Sequence, residues 1–118
     1  MNIDGLVEIT ALIRPNMEGH VVRALHELPE FPGFFITDVR GQGHGRGQGG
    51  AFISSEWDLT YHRYLKLSIV CRSDQADDIC NAIVETAWTG HKGDGILMTS
   101  PVGRFGNIRE LGSRARPA

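Results

Sequence analysis

Residues 64–71 read Tyr-Leu-Lys-Leu-Ser-Ile-Val-Cys, in which Leu65, Leu67 and Ile69 alternate with polar partners, the period-two pattern of a strand with one buried face. A helix follows at once. Asp74 is its expected N-cap, Ala76, Ile79, Cys80, Ile83 and Ala87 form its apolar stripe, and Asp77 and Asp78 fall in the first turn, where the helix dipole favours negative charge. The helix runs out at Thr89-Gly90-His91-Lys92-Gly93-Asp94-Gly95, and residues 95–100 then give a short apolar strand that Pro101 stops.

The first part of the chain has the same order. Leu6–Ile13 places Val7, Ile9, Ala11 and Ile13 on one face, so it is the first strand. Pro15 cannot donate to a ladder and breaks it, and Asn16 is the expected cap of a helix carrying Met17, Val21, Leu25 and Leu28 on one stripe. Pro29 and Pro32 close that helix, and residues 34–40, rich in β-forming side chains, are the second strand. The order β-α-β-β-α-β in two similar halves is that of the ferredoxin-like α+β sandwich: one antiparallel sheet with two helices on one face. The other face of such a sheet is open, and assembly into an oligomer is the expected way of covering it.

The 118 residues fit one domain, spanning 1–118, that can bury a core without metal or disulfide. Cys71 and Cys80 lie in apolar patterns with no C-x-x-C spacing, which suits core filling in a reducing compartment. No leader-like segment and no run of eighteen apolar residues is present, so a cytoplasmic location without membrane insertion is expected. A net charge of −2 gives no electrostatic footprint for nucleic acid, although residues 109–116 are locally basic.

Two segments fit neither strands nor helices. Residues 41–50 alternate glycine with Gln42, His44, Arg46 and Gln48, a composition that packs no core and predicts a long flexible loop over about 41–62. Six glycines in these ten residues make ordering costly, at roughly 1–2 kcal/mol per residue. Phe52, Ile53 and Trp57 follow, so the loop either presents apolar contacts to a partner or tucks them back onto the domain or into a hairpin. The second segment, residues 89–95, has three glycines that free the backbone for positive φ and bare N–H groups suited to a phosphate, with Thr89 and Lys92 beside them. A glycine-rich turn after a helix is also an ordinary C-cap.

Taken together, Ile9-Thr10-Ala11-Leu12-Ile13-Arg14-Pro15, Asp38-Val39-Arg40-Gly41-Gln42-Gly43, and Thr89-Gly-His-Lys-Gly-Asp-Gly before Ser100-Pro101-Val102 resemble the PII signal-transduction family over nearly the whole chain. The resemblance implies a homotrimer that binds ATP or ADP in clefts between neighbouring subunits; the missing cations noted below add AMP to the expected ligands. It also implies that the 41–62 segment, matching that family's T-loop, reports nucleotide state to a protein partner such as a membrane transporter or an enzyme. Gly41, Gln42, Gly43 and His44 match the strand exit that wraps the nucleotide, Gly93, Asp94 and Gly95 match the phosphate-side B-loop, and Arg109 matches a C-terminal arginine. A side chain added at Gly93 or Gly95 is expected to fill the phosphate position. Arg46, Phe52 and Trp57 are the candidate partner contacts.

The chain departs from that family in defined places. Ile96 replaces the basic residue after Gly-Asp-Gly, and Asn107 replaces one of two arginines. Gly45 stands for the glutamine of the Mg-ATP and 2-oxoglutarate site, Tyr64 for the lysine that grips the keto acid, and Trp57 for the tyrosine modified in some members. The reading is therefore of a divergent PII-like protein.

Other chemistry finds little footing. His20, His26, His44, His62 and His91 show no metal-ligand spacing, and Ser54-Ser55, Glu8 and Glu56 lack positioned partners for nucleophilic or acid–base work, so no catalytic residue and no metal ligand is assigned and the chain is read as a non-enzyme. The alternative function, on the same trimeric scaffold, is handling of a metal or of a small anion such as bicarbonate.

Overall fold

The computed structural model describes residues 5–42 and 61–116. Its elements are β1 (Leu6–Ile13), a 3-10 turn (Pro15–Met17), α1 (Glu18–His26), β2 (Phe35–Gly41), β3 (His62–Arg72), α2 (Ser73–Ala87), β4 (Gly95–Pro101) and α3 (Ile108–Ala115). The strands form one sheet in the order β2-β3-β1-β4, every pairing antiparallel. This is the expected ferredoxin-like α+β arrangement, with β3 and β1 at the centre.

Alternation divides the sheet into two unlike faces. Ile9, Ala11 and Ile13 of β1 and Leu65, Leu67, Ile69 and Cys71 of β3 are buried with Val21 and Leu25 of α1 and Ile79, Ile83 and Ala87 of α2. That single cluster is the core. The register opposes Ile9 to Ile69 and Ala11 to Leu67, so each central strand brings its apolar set to the same side, and a slip of one residue would turn both sets outward. Glu8, Thr10, Leu12, Tyr64, Lys66 and Ser68 occupy the opposite face by the same alternation. There the Ser68 hydroxyl donates to the Glu8 carboxylate at 2.6 Å, while Phe35, Ile96 and Met98 are 81%, 55% and 52% exposed.

Several boundaries differ from the sequence reading. Asn16 does not cap α1: it lies inside the 3-10 turn, and Met17 takes the cap position without a side-chain bond, because Pro15 already starts a tight turn in which the Met17 N–H donates to the Arg14 carbonyl. Nor does Asp74 cap α2, which starts at Ser73 with Arg72 in the cap position, two residues earlier than an Asp74 cap implies. The Arg72 N–H donates instead to the Gln75 side chain, and Asp74 pairs with the Arg72 guanidinium at 3.0 Å. β3 runs one or two residues further at each end than its apolar alternation, since backbone pairing continues to His62 opposite Gly41 and to Arg72 opposite Leu6. The locally basic tail contains a third helix, α3, in addition to the two expected. Both thiols are free, Cys71 buried and Cys80 half-buried, and burial pushes each above its ordinary value.

Leu67 has no exposed surface and lies on a central strand. Leu67→Ala is expected to lower stability by about 2–5 kcal/mol, read from the midpoint of urea unfolding at constant m-value.

Candidate functional site

The loop between α2 and β4 is shaped by one carboxylate. Asp94 accepts from the Thr89 amide at 2.7 Å, from the Thr89 hydroxyl at 2.5 Å and from the Gly90 amide at 3.0 Å. The Thr89 oxygen in turn accepts from the His91 amide at 3.2 Å. These bonds curl the chain back on itself, with Gly90 and Gly93 both at positive φ, 84° and 88°. The Thr89 hydroxyl first, then the two amides and the nearby Arg14 charge, hold the Asp94 carboxyl down from 3.8 to about 2, against a smaller opposing effect of burial.

Arg14, at the end of β1, straps this loop to the sheet. Its Nη2 donates to the Lys92 carbonyl at 2.6 Å, and its Nε stands 3.3 Å from Asp94 Oδ1. The second approach is an ion pair rather than an aligned hydrogen bond, since the buried Nε has no hydrogen-bond partner among the described residues. Gly95 is needed for another reason: a Cβ there would lie 1.9 Å from the Leu12 carbonyl oxygen of β1, and its φ is 125°. A side chain at Gly95 is thus excluded by the sheet itself, whatever a ligand requires. At Gly95 it strikes the sheet backbone, and at Gly93 the nearest atom is the Arg14 guanidinium, 3.4 Å away.

On the open face of the sheet a cavity of about 610 Å³ lies between this loop and the end of β2. Gly41 and Gln42 line it from one side and Gly93 and Gly95 from the other, so two segments more than fifty residues apart in sequence share one wall. Leu12, Val39, Ile96 and Met98 make its surface largely apolar, Thr10, Tyr64 and Lys66 supply polar side chains, and Arg40, whose side chain falls on the other face by its pairing with Arg63, borders it at the end of β2. Asp94 is not part of the lining; its carboxylate is spent inside the loop. Arg109 is also elsewhere, on α3 beside Asn107, Glu110, Ser113 and Arg114. Gly43, His44, Arg46, Phe52 and Trp57 lie outside the described residues, as does most of the 41–62 segment.

Three basic residues went unassigned in the sequence reading. Lys66 stands between Leu65 and Leu67 in an alternating strand and so was bound to the open face, a signal available in the sequence. Arg40 and Arg14 were not legible in this way, because their roles depend on segments distant in sequence. Asn107 also has an explanation: its side-chain oxygen accepts from the Arg109 amide at 2.9 Å and the Glu110 amide at 3.3 Å, capping α3. Among the described residues no group of three or more His, Cys, Asp or Glu gathers as a metal site would require.

Gly95→Ala is expected to cost on the order of 3 kcal/mol or more, through overpacking and positive-φ strain together, whereas Gly93→Ala carries mainly the strain, about 1–3 kcal/mol. Urea unfolding separates the two. For pH the sign follows from the depressed Asp94 value, which means the carboxylate form favours the folded loop. That contribution is complete above the ordinary 3.8 and fades as pH falls through about 2. Amide shifts of Thr89 and Gly90 are expected to titrate together in that acid range, and to lose the transition in Asp94→Asn.

Residues 6–111 match the family model described as nitrogen regulatory protein P-II. The chain is 32% identical to the nitrogen regulatory protein GlnK2 of Haloferax mediterranei over 86% of this chain and 81% of that one. It is 33% identical to nitrogen regulatory protein P-II 2 of Methanothermobacter thermautotrophicus over 92% and 95%. Among solved structures, that of Arabidopsis thaliana PII bound to citrate superposes with a TM-score of 0.69 at 28% identity, covering 89% of this chain and 84% of that one. A matching family model across both glycine segments, relatives matched over most of their length and the same sheet topology agree, and the chain belongs to the P-II nitrogen regulatory family, whose members are regulatory proteins and not enzymes.

Proposed function

We propose that the chain is a cytoplasmic PII-like signalling protein that assembles as a homotrimer through its open sheet faces and binds an adenine nucleotide in the cavity between residues 41–42 and 89–95. The segment 41–62 relays the nucleotide state to a protein partner, a transporter or an enzyme, with Arg46, Phe52 and Trp57 as contacts. Gly43 and His44, outside the described residues, belong to the same nucleotide-binding set, with Arg109 supplied by a neighbouring copy. The observation that carries this is the shared cavity: it sets apolar surface for a base beside the glycine segment and the Lys66 cation for an anionic tail. Exposure of Phe35, Ile96 and Met98 on that same face supports assembly there. The citrate on the Arabidopsis relative supports an anionic ligand, and the names of the relatives favour signalling over metal or bicarbonate handling.

The side chains also bear on which nucleotide. A γ-phosphate adds about one to two negative charges, each charge-assisted hydrogen bond to it being worth roughly 1.5–3 kcal/mol. Ile96 offers none, and Asn107 is committed to its helix. The expected result in calorimetry is that ADP or AMP binds as tightly as ATP or more tightly, and that 2-oxoglutarate adds nothing. Synergy of Mg-ATP with 2-oxoglutarate, and ADP weaker by about tenfold, would overturn it. Light scattering is expected to return a trimer at micromolar concentration; a monomer would remove the inter-subunit site.

A further inference from the structure

We infer that Tyr64 sets the length of the anionic chain that the cavity accepts: its phenol ring closes the cavity at the loop end, and its hydroxyl meets the terminal group of the ligand that stops there. The inference rests on the nucleotide reading above and deepens it, naming the residue that selects among nucleotides by the space it leaves.

The strand register lays the open-face floor of the cavity out in rows. Thr10 stands opposite Met98, and in the next row Lys66, Leu12 and Ile96 follow one another across β3, β1 and β4. Tyr64 is the following residue of β3 on that face, two positions from Lys66, and it pairs with Val39 of β2. β1 ends at Ile13, whose partners are Leu65 and Gly95, so beyond that row Tyr64 has no strand residue beside it on the β1 side. The floor therefore finishes at Tyr64. A base laid on Leu12, Ile96 and Met98 points its tail at that last row.

The phenol spans the gap that remains. A Cβ added at Gly93 would stand 3.9 Å from the Tyr64 hydroxyl and 3.4 Å from Arg14 Nη2. Gly93 leads into β4, which lies two strand spacings from β3, roughly 10 Å. The side chain thus bridges from the β2 and β3 side to the glycine loop, between the two walls that line the cavity. Where it arrives, Arg14 is already engaged with the Lys92 carbonyl and the Asp94 charge. The Tyr64 hydroxyl has no hydrogen-bond partner among the described residues, so it is the donor left for a ligand. It can bond one phosphate oxygen but brings no charge to offset further ones. The ring turns on two torsions only, so it is a stiff stop, and each additional phosphate has to pass it.

The test compares AMP, ADP and ATP by calorimetry on the full chain and on Tyr64→Ala, Tyr64→Phe and Tyr64→Trp, each first shown by light scattering to keep the assembly of the unsubstituted chain. The reading is the ratio of the ATP to the AMP association constant, which a general loss of stability leaves in place because it lowers both. Tyr64→Ala is expected to move the ratio toward ATP by about tenfold, and Tyr64→Trp to move it toward AMP. Tyr64→Phe keeps the ring and is expected to weaken all three nucleotides while holding the ratio within about twofold. If Tyr64→Ala fails to assemble, the Trp and Phe variants carry the same decision. A ratio that neither Ala nor Trp moves, or that Phe moves as far as Ala, overturns the inference while leaving nucleotide binding intact. An unsubstituted chain that binds none of the three overturns the nucleotide reading first and the inference with it.

Discussion

Asp94 accepts three hydrogen bonds from two residues that precede it by only four or five positions, and the rest of the site depends on that closure. Without the carboxylate, the Thr89 and Gly90 amides would have to find water, and a turn with Gly90 and Gly93 both at positive φ would have little to hold it. The loop so formed is small enough to be tied down by a single side chain from elsewhere. Arg14 does this from the end of β1, through the Lys92 carbonyl and the Asp94 charge. Its position follows from the sheet, since Ile13 pairs with Gly95 and thereby places the start of β4 beside the end of β1. Loop shape and strand register are therefore one constraint, and Gly95, which brings the backbone of β4 against the Leu12 carbonyl, is where they meet.

The same sheet does two jobs that compete for its side chains. Toward the helices it presents Ile9, Ala11, Ile13, Leu65, Leu67 and Ile69, which are buried and make the fold. Toward the other side it presents Thr10, Leu12, Tyr64, Lys66, Ile96 and Met98, a mixture too polar for a core and too apolar to remain exposed over a large area. That mixture is what a surface needs if it must both contact another copy and hold a polar ligand at its edge. In the proposed assembly, cavity and contact surface share one face, which would give ligand binding a direct route to subunit packing.

Much of this was legible in the sequence. Period-two alternation in residues 6–13 and 64–71 located the two central strands and which side chains turn inward, because burial on one face leaves that mark whatever the tertiary context. The glycine segments announced themselves by composition. Caps were read poorly: Asn16 and Asp74 are both good N-cap types, but Pro15 and the Arg72–Gln75 bond set the helix starts instead. The site was legible as two separate segments and not as a cavity. Nothing local to Asp94 says that its carboxylate turns inward to Thr89 rather than outward to a ligand, and nothing local to Arg14 says that its partners lie near residue 92. Lys66 was readable by parity alone.

The two missing cations have a structural counterpart. At Asn107 a short side chain accepts two amides at the start of α3, a role that an arginine, having donors only, cannot fill. The substitution therefore exchanges a cation for a capped helix, and the helix so begun places Ile108 and Arg109 on its first turn. At Ile96 the exchange is of charge for apolar area, on a strand whose partner in register is Leu12. Lys66, on the open face by its alternation with Leu65 and Leu67, leaves one cation at the cavity's other wall.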